Sequence, residues 1–133
     1  MASRSPRQYD SLAEAAGRMQ VANPHLSKEM AEHLTVHGTM RTENGTYVWK
    51  FDNYVRAWGP QKYDYEAVTG LWSRIDCPAL LVRGSESWAS NPEKDGRAQH
   101  FKDHSYAEIE GAAHWVHHDR FEEFMAVLEG FLA

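Results

Sequence analysis

The chain has 133 residues, 42% hydrophobic and 25% charged, with 5 Trp, 6 Tyr and 5 Phe; this length suits one domain, and this aromatic content excludes a disordered chain. Lys and Arg number 14 against 19 Asp and Glu, a net charge of −5 with no basic block, so nucleic acid is not an expected partner. No apolar run approaches the roughly 18–20 residues of a membrane span, so a membrane is not expected either.

Residues 1–8 read as a frayed tail. The start, Met1-Ala2-Ser3-Arg4-Ser5-Pro6-Arg7, is polar and lacks the apolar core of a secretory signal, which makes a cytoplasmic location the expectation. Ser11-Leu12-Ala13-Glu14 is a capping-box pattern, and behind it Leu12, Ala15, Ala16 and Met19 fall on one face of a helix. Asn23-Pro24 stops that helix. A second helix is expected from Ser27 to about His37, with Leu26, Met30 and Leu34 as its apolar stripe and Gly38 as its end signal. Asn44-Gly45 marks a tight turn, and Tyr47, Trp49 and Phe51 at period two predict an extended segment, one arm of a hairpin. Gly59-Pro60 is a further break. Asp64 is placed to cap a third helix that buries Tyr65, Val68, Leu71, Trp72 and Ile75.

The pattern then changes. Cys77-Pro78 leads into Ala79-Leu80-Leu81-Val82, a continuous apolar run that predicts a strand covered on both faces, as in a parallel sheet. Cys77 itself reads as a small inert core residue; as the one cysteine it excludes an internal disulfide. Asn91-Pro92 predicts a polar helix to about Phe101. Tyr106-Ala107-Glu108-Ile109 predicts a second strand. Asp119 is placed to start a last helix with a wide apolar face, Glu122 completing a capping-box spacing. The second half thus reads strand–helix–strand–helix, a parallel crossover unit.

These residues resemble the α/β-hydrolase fold family, C-terminal half only. Ile75 to Gly84 is similar to the entry into the family's seventh strand. Gly111-Ala112-Ala113-His114-Trp115 is similar to the loop after its last strand, which carries the catalytic histidine. Residues 9–62 are similar to the lid inserted by many members, here lid-like helices with a short hairpin, and 63–133 form the α/β unit. The resemblance implies a partial α/β-hydrolase fold and acyl transfer on an ester-like small-molecule substrate, with no cofactor and no metal. It makes His114 the general base, because an imidazole takes and returns a proton near neutral pH. A carboxylate must hold the ring's other nitrogen. The family's acid often stands three residues after the strand's glycine. That position is Ser87, so the neighbouring carboxylate Glu86 becomes the candidate acid, with Asp95 as the weaker alternative. Trp88 and Trp115, beside the two loops, are candidate substrate-binding residues.

The nucleophile elbow, Gly-x-Ser-x-Gly or a variant, is absent ahead of His114. Ser85, Ser87 and Ser90 lack its context and read as turn hydroxyls. His114, His117, His118 and Asp119, and separately His33 and His37, lack a metal-ligand pattern. Two parallel strands leave two open edges. The expectation is therefore a truncated hydrolase that associates with itself as a homo-oligomer, or that docks onto a complementary hydrolase half carrying the nucleophile. The alternative is a non-catalytic interaction domain that uses the exposed sheet edge and the lid helices.

Overall fold

A computed structural model of the protein describes residues 6–52 and 64–133. The first five residues of the expected tail and the Gly59-Pro60 break lie outside the described residues. The chain divides into two compact units, Met1–Lys62 and Tyr63–Ala133.

In the first unit, helix α1 spans Leu12–Ala22 and α2 spans Lys28–Gly38. Each begins on a serine whose Oγ accepts a backbone N–H one turn ahead: Ser11 from Glu14 at 3.1 Å, Ser27 from Met30 at 3.0 Å. Glu14 reaches back as in a capping box, but to the N–H of Asp10, one residue before the cap. The expected face of α1 is the buried one, deepest at Ala15 and Ala16. On α2 the deepest residues are Ala31 and Thr35, while Met30 and Leu34 are half-buried. Small side chains therefore sit at the centre of the helix pair, and Thr35 satisfies its hydroxyl on the carbonyl of Ala31 at 2.7 Å.

Helix α2 runs directly into β1 (Thr39–Arg41), which pairs antiparallel with β2 (Tyr47–Trp49). Gly45 has φ +83°, the left-handed conformation that a tight hairpin turn demands. Phe51 lies past the end of β2. The buried Tyr9 bridges to Tyr47 through two backbone hydrogen bonds of 2.9 and 2.8 Å, and Gln8 accepts from the Thr46 hydroxyl.

The second unit opens with α3 (Tyr65–Trp72), capped by Asp64 through the N–H of Ala67. Its expected apolar side is only partly covered. Thr69 is the buried residue, and Tyr65 and Leu71 are exposed. Trp72 stacks on Phe101 with ring centres 5.5 Å apart. Strand β3 (Ala79–Gly84) pairs in parallel with β4 (His104–Ile109), Leu80 opposite Ser105 and Gly84 opposite Ile109. Among the described residues the sheet has two strands, and the apolar run of β3 is half-buried rather than covered on both faces. Cys77, expected in the core, is exposed.

The helix expected over 92–101 does not form. Residues 92–97 make turns, followed by a short 3-10 segment at Ala98–His100. Local polar groups outcompete the helix. Asn91 Oδ1 accepts the N–H of Glu93, Asp95 takes both the backbone and the side chain of Arg97, and Gly96 sits at φ +85°.

After β4 come α4 (Val116–Asp119) and α5 (Phe121–Leu132). Asp119 ends α4 instead of capping α5, whose first turn lacks a side-chain cap. Ile109, Ala112 and Val116 form the core of this unit, with Val82, Phe124 and Val127 packed against them. Among the described residues no helix is long and apolar enough to cross a membrane.

Candidate active site

Both strands of the parallel pair end in loops on the same side of the sheet, because parallel strands share a direction. A backbone crossing holds these loops together. A side chain on Gly84 would place its Cβ 2.1 Å from the carbonyl oxygen of Ala113 and 2.2 Å from that of Ala112, so only glycine permits the approach. Three hydrogen bonds then join the segments. Ser85 N–H donates to Ile109 O at 3.0 Å, and Glu86 N–H donates to Ala112 O at 3.0 Å. Gly111 N–H donates to Ser85 Oγ at 2.9 Å. Ser87 and His114 are thereby brought face to face, with Ser87 Oγ 3.0 Å from His114 Nδ1.

The loop after β3 is organised from beneath by Arg83. Its guanidinium side chain is 16% exposed and donates to three carbonyls of that loop, those of Ser85 (3.4 Å), Ser87 (3.1 Å) and Ala89 (3.2 Å). The charge is matched by Glu108, directly opposite on β4, at 2.8 Å. Glu108 also accepts from the Tyr106 hydroxyl at 2.8 Å, and Asn91 donates to that hydroxyl at 2.9 Å. The bond from Tyr106, then that from Arg83, hold the Glu108 carboxyl below its ordinary range. Burial, and then the neighbouring Glu108, push the Tyr106 phenol up.

The loop after β4 is held from the other side. Asp119 Oδ2 accepts the N–H of Ala113 at 2.9 Å, tying α4 back to the residue before His114. His114 lies between two tryptophans. Trp88 is tilted 30° over its ring at 4.1 Å, and Trp115 meets it edge-on at 5.2 Å. Both indoles are exposed, Trp88 at 82% and Trp115 at 55%. His117 and His118 stand 4.0 Å apart, and burial, then His117, lowers the His118 pKa. Among the described residues no group of three His, Cys, Asp or Glu side chains is placed to hold a metal.

Of the residues singled out from sequence, His114, Trp88 and Trp115 therefore form one cluster. Glu86 is exposed at its edge, its N–H used in the loop crossing. Asp95 is bound by Arg97 and Ser90, which lower its pKa to about 2. The hydrogen bond on Nδ1 comes from Ser87, at the third position after Gly84. Sequence spacing pointed at that position; its residue type, a hydroxyl where a carboxylate belongs, pointed away. Arg83 gave no sequence signal beyond being a charge at the end of an apolar strand.

No protein-family model matches the chain. A relative is the esterase Rv0045c of Mycobacterium tuberculosis, 28% identical over 133 residues that cover 95% of this chain and 41% of the esterase. The chain therefore spans about two fifths of that relative's length. A solved structure of the same esterase superposes with TM-score 0.81 at 21% identity, covering 97% of this chain and 43% of the esterase. The thioesterase domain from the curacin biosynthetic pathway gives TM-score 0.80 at 20% identity, covering 97% and 46%. E-2-(acetamidomethylene)succinate hydrolase gives 0.82 at 15% identity, covering 96% and 47%. Each match takes in nearly all of this chain and under half of its counterpart. The chain thus has the fold of the C-terminal half of an α/β hydrolase.

Proposed function

We propose that the protein is the lid- and histidine-bearing part of a hydrolase acting on an ester-like bond, with His114 as its general base. The observation that carries this reading is the Ser87–His114 contact of 3.0 Å between the two loops after the parallel strands. It engages Nδ1, and in the tautomer that carries its proton there Nε2 is the atom that would take a proton from an attacking hydroxyl and return it to the leaving group. Trp88 and Trp115 flank the ring and supply apolar area for the acyl or alkyl part of a small substrate. The nucleophile must come from outside residues 1–133, since no elbow motif occurs in them. A complementary hydrolase half carrying the nucleophile, on another chain or in the same one, is what this reading requires. Pairing of two copies through the outer strand edges is the other way to cover the sheet.

Hydrolysis of short p-nitrophenyl esters tests the reading. The chain alone should match its His114→Ala variant at background. Combined with an elbow-bearing N-terminal hydrolase half, it should turn over ester at a rate that His114→Ala lowers by at least about 100-fold. Turnover that survives His114→Ala removes His114 from the role.

A second reading, a non-catalytic interaction domain, is favoured by one observation: a neutral hydroxyl meets His114 where a catalytic triad needs charge. The sheet edge and the lid helices would then bind a partner. Absence of any His114-dependent turnover in the combined protein selects it.

A further inference from the structure

Seen from the ring, Ser87 fills the place of the group that should choose its tautomer. A base that works through Nε2 must carry its proton on Nδ1, and a carboxylate enforces this because it only accepts. A hydroxyl donates or accepts. Ser87 Oγ already accepts the N–H of Ala89 at 3.2 Å, and it has a further lone pair and one proton to offer His114. It therefore fixes where the ring points without fixing which nitrogen is protonated, and it adds no negative charge to stabilise an imidazolium. The loop is built to hold that position. The Arg83 guanidinium grips the Ser87 carbonyl and its neighbours at Ser85 and Ala89, and Glu86 N–H is fastened to Ala112 O.

We infer that Ser87 is the positioning residue of His114 and stands where a triad carboxylate would stand, so that the site is an orienting pair lacking its charge and one substitution, Ser87→Asp, supplies it. The catalytic consequence rests on His114 being the base, as proposed above. The contact itself does not, and it is tested on the ring rather than on turnover.

Imidazole 15N spectra of the full chain, with His114 assigned by its loss in His114→Ala, read both tautomer and titration. In the parent the two neutral tautomers should coexist. Ser87→Asp should move the ring to the Nδ1-protonated form and raise its titration midpoint by about one unit, since an opposite charge within about 4–6 Å favours the charged ring. Ser87→Thr, which keeps the hydroxyl, should reproduce the parent, and it gives the comparison if the aspartate variant fails to fold. Ser87→Ala should release the ring, read as faster ring motion in 15N relaxation, without selecting either tautomer. Glu86→Gln should leave the ring unmoved.

Three results would overturn the inference: a Glu86→Gln shift as large as that of Ser87→Asp, ring motion of His114 unchanged in Ser87→Ala, or covalent capture of Ser87 by a fluorophosphonate, which would make it a nucleophile instead. If the ring responds as expected but the combined hydrolase shows no His114-dependent turnover, the positioning role stands and the catalytic reading fails.

Discussion

The two units solve the burial problem in different ways. In Met1–Lys62 the helix pair closes on its own small residues: Ala15 and Thr35 are 0% exposed and Ala31 is 1% exposed. Its polar groups are met locally, by serine caps and by threonine hydroxyls on carbonyls four residues back. In Tyr63–Ala133 the main apolar cluster is Ile109, Ala112 and Val116, and Ala98 and Thr69 are also buried. The rest of its apolar surface is left open. No residue of α5 is buried, and Leu71 and Leu132 are 61% and 71% exposed. A helix pair needs only a second helix to hide its stripe, whereas a parallel strand needs neighbours on both edges and helices on both faces. The region that carries the candidate chemistry is thus also the one whose layer is incomplete among the described residues.

The comparison can be sharpened by breaking each unit at the point that holds it. The largest effect is expected in the second unit from Gly84→Ala. The new Cβ meets two backbone carbonyl oxygens that cannot swing aside, and the loss should be at least about 3 kcal/mol by urea titration, with amide protection lost in β3 and β4. A change below about 0.5 kcal/mol would show that the two loops do not cross as closely as described. In the first unit Ser11→Ala removes one cap and should cost about 1 kcal/mol, with fraying of the first turn of α1 read by amide exchange. Equal exchange at Glu14 in the parent and the variant would mean that the cap is made without the hydroxyl.

The smallest effect concerns pH. Asp95 has its carboxyl lowered from 3.8 to about 2, by the hydrogen bond from Arg97 first and then that from Ser90. A carboxyl depressed on folding contributes stability that is present above the unfolded value and is lost as pH falls through the folded one, so the window lies between pH 3.8 and about 2. The contribution is slight because the pair is at the surface. Asp95→Asn should flatten the acid limb of the stability curve within that window, leaving the variant slightly less stable than the parent at pH 7 and equal to it below about pH 2. An acid limb identical to the parent's would remove the ion pair from the account.

Much of the first unit was legible because its signals are local. Ser11 and Ser27 announce helix starts within one turn, as Asp64 does in the second unit, and Asn44-Gly45 announces the hairpin. Strand β1 was missed because Thr39–Arg41 is too short to show a period and pairs only through its partner. In the second unit the same habit misled. Asn91-Pro92 looks like a helix start, but Asp95, Arg97 and Gly96 bond and bend locally into turns. Asp119 looks like a cap for α5 and instead reaches back six residues to Ala113.

The amino-acid order alone determined the histidine loop, the two apolar strands and the absence of an elbow ahead of His114, because each is written in consecutive residues. Only the tertiary structure decided which side chain meets His114. Ser87 and His114 are 27 residues apart, and their contact depends on the register that sets Gly84 opposite Ile109 and on a backbone crossing that only glycine allows. The spacing from Gly84 points to Ser87 and the residue type points to Glu86, and only the crossing of the two loops decides between them.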